Sequence, residues 1–493
     1  MNRRVTLALA FGAAFLSAPT PNVAQQLPPA DTVWRYRAAA DIASYRICPE
    51  TELLVATKSS LIALDAGTGA PLWELTDLPS LARGLFTGRC GGATGISYRQ
   101  DRIVAFDVAS GRRLWDAAAL PPIREIRGYM ALEDQDLLLL FLRTASSERS
   151  LAAVQLSTGK PHWIRDDLFS QSPRFANRDG VSDLSEYQVL IADSDTTLLL
   201  YVTPDGPMRL DHRTGAVLWQ GQGSTTTRVP ALGDYAPMVV MDSVLVVPRE
   251  RGLVAFDTRD GHVLWEVADL LPRHASRMYR ASNGLLVRAG PSHVTLLDLW
   301  TGTPRWQSPL TVSTDGVAYE IVGDLYYVVT GDRLLVADLA TGDTAGLATL
   351  QFSGDEHAGL MYATGDGLVI SSRQNLFRVA TSGELVYHRY FPAPGASLLE
   401  KVAGAASGSF GVFGARFGTA AFRNEYAYFL TNAPDANGRT GNSLVRVALD
   451  AGTEAGRIWF RERSPDFRPD PARDQLLVVQ NKRKLVALRF PAP

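Results

Sequence analysis

One sequence frame recurs along most of this chain: an apolar run of strand length, a turn that contains Gly, and a Trp four residues after that Gly. Eight of the nine Trp residues fall in this frame, and six of them close a regular copy. Those six follow one another 41 to 56 residues apart. Repeats of that length, built from short strands and Gly turns, are typical of β-propeller blades. The sequence therefore predicts an all-β protein of four-stranded antiparallel blades.

Each residue of the frame has a structural explanation. An Asp at the strand end can accept hydrogen bonds from backbone N–H groups of the turn, and the Gly supplies a positive φ. The Trp lies on the next strand, where we expect it to pack between neighbouring sheets. A ring of acids or metal ligands is the alternative interpretation of the Asp residues. The frame residues are Asp65, Gly69 and Trp73; Asp107, Gly111 and Trp115; Gly159 and Trp163; Asp211, Gly215 and Trp219; Asp257, Gly261 and Trp265; Asp298, Gly302 and Trp306; and Asp338.

The number of blades follows from the degenerate copies and from the two ends. Copies at 334–346 and 376–387 lack the Trp, the copy at 444–459 has a longer turn before Trp459, and the last strands at 476–490 lack a closing Trp strand. Trp34 has no copy before it, so we predict that 33–36 pairs beside 485–490 and closes the ring, which removes both exposed edges. The count favours ten blades. An eight-bladed ring with copies diverted into insertions at 165–186 and 391–425 is the alternative.

The N-terminus has the pattern of an export signal. Arg3 and Arg4 precede an apolar stretch at 5–18 that is too short to span a bilayer, and Ala24 is a suitable cleavage point. We expect 1–24 to be a signal peptide and 25–493 to be one propeller domain. No other segment is predicted to cross a membrane, and no Cys near the cleavage point could carry a lipid. The sequence predicts an exported, periplasmic or secreted monomer.

The two cysteines stand at matched positions. Cys48 and Cys90 are 42 residues apart, and so are Asp65 and Asp107 of the first two copies. They should therefore occupy equivalent places in adjacent blades. In an exported protein such a pair predicts a disulfide. Two unrelated buried thiols are the alternative.

Charge limits the partners. A formal net charge of −2 argues against binding of nucleic acid or anionic membranes by bulk electrostatics. Arginines recur between blades, and we predict that Arg273, Arg277 and Arg280 form a surface for an anion or an acidic partner. Solvated loop arginines are the alternative. The seven histidines are scattered, and no pair has metal-ligand spacing.

Two copies carry a resemblance to a known family. ALDAGTGAPLW (63–73) and AFDVASGRRLW (105–115) match the A-x-D-x-x-T-G-x-x-x-W pattern of PQQ-like propeller repeats, within the quinoprotein-like and WD40-like superfamily. The resemblance extends from about 33 to 490. It implies a propeller, but quinoprotein dehydrogenases and non-catalytic propellers share the repeat. The dehydrogenases hold PQQ against two adjacent cysteines, with Ca²⁺ beside a catalytic Asp. This chain has no Cys-Cys pair and no acidic or amide cluster that we can assign to calcium.

The non-catalytic branch resembles the BamB-type propellers, which are exported and bind proteins through surface loops. This chain departs from them because it lacks a lipid-anchoring Cys and is longer. We therefore expect a non-enzymatic scaffold in the cell envelope, with an envelope or secreted protein as partner and with no catalytic residue, metal or cofactor. The alternative is an alcohol or sugar dehydrogenase that depends on PQQ and Ca²⁺.

Overall fold

The computed structural model shows an all-β chain. It describes residues 31–490 apart from 49–51, 80–92, 100–101, 117–122, 148–149, 169–189, 193–195, 203–205, 222–238, 250–251, 269–276, 283, 290–291, 313–317, 355, 394–420, 424, 435–436, 439, 461–464 and 471. These residues form strands β1–β39 and a short 3₁₀ helix at Glu133–Gln135. The predicted signal peptide, 1–24, lies outside the described residues and stays a prediction.

The strands follow one another in short meanders. The first half comprises β1 Asp31–Arg37, β2 Ile42–Ile47, β3 Glu52–Thr57, β4 Ser60–Asp65, β5 Pro71–Thr76, β6 Thr94–Arg99, β7 Arg102–Asp107, β8 Arg113–Asp116, β9 Ile123–Leu132, β10 Leu137–Thr144, β11 Ser150–Gln155, β12 Pro161–Arg165, β13 Leu190–Ala192, β14 Thr197–Val202, β15 Gly206–Asp211, β16 Val217–Gln220, β17 Val239–Met241, β18 Val244–Arg249, β19 Gly252–Asp257 and β20 Val263–Ala268. The second half comprises β21 Arg277–Ala281, β22 Gly284–Ala289, β23 His293–Leu297, β24 Leu310–Thr311, β25 Tyr319–Val322, β26 Leu325–Thr330, β27 Arg333–Asp338, β28 Thr344–Thr349, β29 Leu360–Thr364, β30 Gly367–Ser371, β31 Asn375–Ala380, β32 Leu385–Tyr390, β33 Ala421–Arg423, β34 Tyr426–Thr431, β35 Ser443–Ala448, β36 Glu454–Trp459, β37 Asp466–Asp470, β38 Gln475–Gln480 and β39 Lys484–Arg489.

Ten antiparallel sheets result, and each is one blade. Blades 1 and 3–9 are four-stranded, from β2–β5 through to β33–β36, and the described part of blade 2 has three strands, β6–β8. Within a blade we call the strands A to D in sheet order, with A innermost and D outermost. The chain is a ten-bladed propeller, as the repeat count favoured.

The N-terminal strand completes the last blade. Blade 10 has the order β1-β39-β38-β37, so β1 is its outer strand. Thr32 pairs with Leu488 and Tyr36 with Leu485. The prediction that 33–36 pairs beside 485–490 is confirmed.

Ten hydrophobic clusters hold the blades together. Each cluster takes its residues from two consecutive blades. The cluster that contains Trp34, Leu485, Leu53 and Leu64 joins blade 10 to blade 1. Every blade therefore packs on both neighbours, and the ring is closed.

Burial explains why the middle strands have continuous apolar runs. A blade is covered on both faces, so its B and C strands have no solvent side on which polar residues could alternate. In blade 1, the residues from Leu53 to Ala56 and from Leu61 to Leu64 are all 3% exposed or less. The outer strand β5 alternates between exposed and half-buried residues instead.

Two sequence-based expectations are wrong. The eight-bladed alternative placed insertions at 165–186 and 391–425. The segment between Trp163 and Trp219 instead contains β13–β16 as blade 4, and β33 lies within 391–425 as the first strand of blade 9. Residues 169–186 lie outside the described residues. Trp459 does not occupy the frame either, because Gly456 pairs with Arg446 at the place that Trp takes elsewhere. The turn before it is therefore not longer than the others.

Seven tryptophans join consecutive blades. The indole Nε1–H of each donates to a backbone carbonyl in the C–D turn of the next blade, at 2.7 to 3.1 Å. The donor and acceptor pairs are Trp34 and Ala66, Trp73 and Ala109, Trp115 and Leu156, Trp163 and His212, Trp219 and Thr258, Trp265 and Leu299, and Trp306 and Leu339. Each ring also covers the turn Gly of that next blade. The frame is thus a contact between blades as well as a turn.

The last blades use other side chains at this place. Tyr387 of blade 8 donates its hydroxyl to the Leu449 carbonyl of blade 9 at 2.7 Å. Blade 9 has Gly456 there, and Arg446, 5% exposed, lies 4.7 Å from the ring centres of Tyr426 and Phe490. A buried guanidinium between two aromatic rings therefore contributes to the packing between blades 9 and 10.

Candidate interaction surface

The meander defines two faces of the ring. In a four-stranded antiparallel blade, the A–B and C–D turns lie at one end, and the B–C turn lies at the other with the connection to the next blade. We call the first end the turn face and the second the connector face. A residue's place in the meander therefore tells which face it occupies.

The repeat Asp residues bring fixed negative charge to the turn face. The Asp65 carboxylate accepts the Thr68 hydroxyl and backbone N–H, both at 2.7 Å. Asp107 and Ser110 form the same pair of bonds at 2.6 and 2.7 Å. Hydrogen bonds from the side chain of the Thr or Ser lower the pKa of both carboxyls. These carboxylates hold the turns and stay ionised at neutral pH.

Asp257 is the most buried of these carboxylates, with a side chain 2% exposed. Its turn has Asp260 in place of the Ser or Thr, and the Arg259 guanidinium bonds the carboxylate instead, with Nε at 2.9 Å from Oδ1. This hydrogen bond lowers the pKa of Asp257 to about 2, against the opposing effect of burial. Blade 5 therefore depends on an ion pair where other blades use a hydroxyl.

The stability of blade 5 should depend on pH through Asp257. The folded state lowers the pKa of this carboxyl below the unfolded value of about 3.9. The ionised form therefore stabilises the fold above about pH 4, and this contribution is lost as pH falls toward 2.

We expect Asp257→Asn to lower the urea midpoint at pH 7 and the difference from wild type to shrink below pH 4. Asp343→Asn is the control, since the Asp343 carboxylate makes no hydrogen bond among the described residues. An Asp257→Asn effect that stays constant from pH 7 to pH 3 would contradict this explanation.

One group on the turn face has metal-ligand geometry. Ligand atoms of Asp257, Asp260 and His262 lie within 4.8 Å of one another. However, the Asp257 carboxylate is bonded to Arg259, and His262 Nδ1 lies 2.6 Å from Asp260 Oδ1. These atoms are satisfied by protein partners, so the cluster is explained without an ion. The spacing of histidines did not reveal this cluster, because two of its three members are aspartates of one repeat turn.

The structure describes two of the three arginines of the predicted anion surface and places them near opposite ends of strand β21. Arg277 begins strand β21 at the connector face, whereas Arg280 pairs with Leu285 near the A–B turn. The two are about 10 Å apart along the strand. Arg280 is exposed, and its Nη2 lies 4.0 Å from Asp242 of blade 5. Arg273 lies outside the described residues, so the shared surface of the three stays a prediction.

Cys48 follows the innermost strand of blade 1. It is 5% exposed and packs with Leu54, Leu78 and Val104, which places it between blades 1 and 2. The described residues include no free cysteine. Cys90 lies outside them, so the pairing of the two cysteines stays a prediction.

A polar network ties blade 8 to the connection that enters it. The Ser372 hydroxyl and the Asn375 amide both donate to the Glu356 carboxylate, the amide at 2.9 Å. His388 Nε2 lies 2.9 Å from Asn375 Oδ1, and its ring stacks on Phe377 at 4.2 Å between centroids. Burial lowers the pKa of His388, which favours the neutral imidazole. The network anchors the B–C turn of blade 8 to the connection that comes from blade 7.

The large exposed apolar side chains fall mainly into two groups. One group lies on the outer strands and includes Leu72, Leu218 and Val386, which are 50%, 53% and 52% exposed. The other lies on the turn face of blades 6 and 7 and includes Trp300. Trp300 is the one Trp that the sequence frame left out, and that exclusion was the available signal for a different role.

The sequence matches one family model along most of its length. The model is described as outer membrane protein assembly factor BamB, and it matches residues 99–290, 188–389 and 253–489. The overlapping matches together span 99–489, about four fifths of the chain. The chain belongs to this family. Because neighbouring blades are alike, the model fits this ring in three successive positions.

The similarity to solved structures is low in sequence identity and in TM-score. BamB from Moraxella catarrhalis is similar over 73% of this chain and 100% of its own, with 14% identity and a TM-score of 0.39. The computationally designed protein Ika8 has 11% identity over 73% of this chain and 99% of its own, with a TM-score of 0.37. The C-terminal WD40 domain of Sif2 has 12% identity over 69% of this chain and 95% of its own, with a TM-score of 0.36. No match was found among curated proteins. In the described part of this chain, no helix has the length and apolar character needed to cross a membrane.

Proposed function

We propose that this protein is an exported, non-enzymatic scaffold that binds another protein in the cell envelope. The observation that carries the proposal is its membership of the BamB family over about four fifths of the chain. BamB is described as an assembly factor of outer membrane proteins, and an assembly factor acts through contact with other proteins. The partner proposed for this chain is an envelope or secreted protein.

The architecture supports such a role. Ten apolar clusters and seven indole hydrogen bonds hold neighbouring blades, so the ring can present its turns in fixed relative positions. Binding to fixed turns avoids the entropy cost of ordering loops upon association. The repeat carboxylates could have been metal ligands or catalytic acids. They accept hydrogen bonds from backbone N–H groups of their own turns instead. The surface turns are therefore available to contact a partner.

Fractionation and capture test this function. We expect the tagged full-length chain to lose residues 1–24, to reside in the periplasm or medium, and to co-purify with a discrete envelope protein after mild cross-linking. The same chain without residues 1–24 should stay in the cytoplasm and capture no such partner. An intact N-terminus on cytoplasmic protein, or an envelope-localised chain with no cross-linked partner, would count against the proposal.

The dehydrogenase alternative has its own test. Protein mixed with PQQ and Ca²⁺ is assayed for a new absorbance band and for reduction of an artificial electron acceptor with a panel of alcohols and sugars. The scaffold function predicts no substrate-dependent reduction. Turnover with any substrate would replace the scaffold by the dehydrogenase.

A further inference from the structure

Three apolar side chains are exposed on the turn face of two neighbouring blades, 6 and 7. Trp300 lies in the C–D turn of blade 6 and is 44% exposed. Val322 and Leu325 flank the A–B turn of blade 7 and are 40% and 36% exposed. Blades 6 and 7 share one hydrophobic cluster and are therefore neighbours. We call these three residues the turn-face patch.

The repeat does not require a large apolar residue at any of these places. The residue that corresponds to Trp300 is Gly67 in blade 1, Ala109 in blade 2 and Ala340 in blade 7. In blade 5, Met241 and Val244 correspond to Val322 and Leu325, and they are 4% and 0% exposed. Blades 4 and 5 have Arg213 and Arg259 at the place of Trp300, so in the described copies of this turn an exposed aromatic side chain occurs in blade 6 only.

Carboxylates surround the patch. Asp324 lies between Val322 and Leu325 and accepts the Ser282 hydroxyl of blade 6 at 2.8 Å. The turns of the same two blades also hold Asp298, Asp338 and Asp343. Backbone hydrogen bonds from Thr341 and Ala340 lower the pKa of Asp338, which keeps it charged. On the turn face of blades 6 and 7, the described basic residues are Arg280 and Arg305, and Arg280 lies 4.0 Å from Asp242 of blade 5, so the four carboxylates outnumber them.

We infer that the turn-face patch docks an extended segment of the partner protein that presents an apolar side chain flanked by Lys or Arg. This inference rests on the proposed scaffold function and names its binding site. Trp is among the residue types that dominate protein–protein binding energy. The surrounding carboxylates attract a basic segment and disfavour an acidic one. The same charge disfavours nucleic acid and anionic lipid.

Three synthetic peptides test the charge and the apolar anchor separately. The first has a central Leu pair flanked by Lys, the second replaces each Lys by Glu, and the third replaces each Leu by Ser. Binding to the purified full chain is measured by fluorescence anisotropy at two salt concentrations. We expect the first peptide to bind, with an affinity that falls as salt rises. The other two should bind at least about tenfold more weakly.

Matched variants locate the site. We expect Trp300→Ala to weaken binding of the first peptide about tenfold or more, and Asp324→Asn to weaken it less and to reduce its salt dependence. Leu72→Ala is the control, because Leu72 is 50% exposed but lies on the outer strand of blade 1. It should leave binding unchanged. All variants change exposed residues, so circular dichroism should show wild-type unfolding midpoints.

Several outcomes would overturn the inference. They are no binding by the first peptide, equal binding by the acidic peptide, and an unchanged affinity in Trp300→Ala. A concentration-dependent dimer in sedimentation velocity that Trp300→Ala abolishes would make a second copy the occupant instead. If Trp300→Ala still captures the envelope partner while the peptides fail, the patch is wrong and the scaffold function stands. If the wild-type chain captures no partner at all, the scaffold function is wrong, and the inference that rests on it is wrong as well.

Discussion

Deleting residues 25–37 will destabilise the whole ring and not only blade 10. The deletion removes β1, so β39 becomes an exposed edge strand. It also removes Trp34, which packs in the cluster that joins blade 10 to blade 1. The ring then becomes an open chain of blades with two ends. We expect the urea transition to move to lower concentration and hydrogen exchange to accelerate in blade 1 as well as in blade 10.

A point substitution distinguishes the contribution of the Trp34 side chain to stability from that of the whole strand β1. Trp34 is 7% exposed, and its Nε1–H donates to the Ala66 carbonyl at 3.0 Å. Trp34→Ala should cost about 3–5 kcal/mol in the free energy of unfolding. Trp300→Ala is the matched control, since it removes the same side chain from an exposed turn and should change stability by about 0.5 kcal/mol or less. Similar losses in the two variants would show that Trp34 does not seal the ring.

Gly111→Ala will cost about 2–5 kcal/mol, through two separate effects. Gly111 has φ of +69°, a conformation that costs an L residue about 1–2 kcal/mol. A Cβ at this position would also lie 2.6 Å from Cδ2 of the Trp73 ring in the preceding blade. Overpacking of this kind adds about 1–3 kcal/mol. The ring must move away from the turn, which weakens the contact between blades 1 and 2.

Gly331→Ala measures the backbone effect alone. Gly331 has φ of +61°, and a Cβ there would have no atom within 4 Å. We expect it to cost only about 1–2 kcal/mol. Urea denaturation of both variants gives the contribution of the Trp73 contact by difference. If the two glycine variants lose equal stability, the turn Gly is needed for its φ and not for the indole of the neighbouring blade.

The repeat made the fold predictable, because its signal is local. Gly69 and Trp73 are four residues apart, so turn and strand can be recognised without any distant contact. Closure by β1 was also predictable, since an orphan Trp34 strand and a missing last strand complement each other. What remained hidden was the contact between blades. Trp34 donates to Ala66 of the next blade, and a copy considered by itself does not show this partner.

The candidate site was harder to predict, since it depends on exposure. Val322 and Leu325 have the same residue character as the buried Met241 and Val244, and only the structure shows that they face solvent. Trp300 could be singled out from the sequence because it lies outside the frame. The strand order was needed to show on which face of the ring it lies. The error at Trp459 has the same origin. A Trp near the expected distance was assigned to the frame, whereas strand pairing gives the place to Gly456.

Photo-cross-linking in cells tests the scaffold role most directly. A photoreactive aromatic residue, which keeps a large apolar side chain, is placed in the full chain at position 300 on the turn face or at position 72 on the outer strand of blade 1. We predict one discrete envelope-protein adduct from position 300, with the cross-linked peptide carrying an apolar residue beside Lys or Arg, and no such adduct from position 72. No adduct from either position, or the same adducts from both, would contradict a scaffold that binds its partner through the turn face.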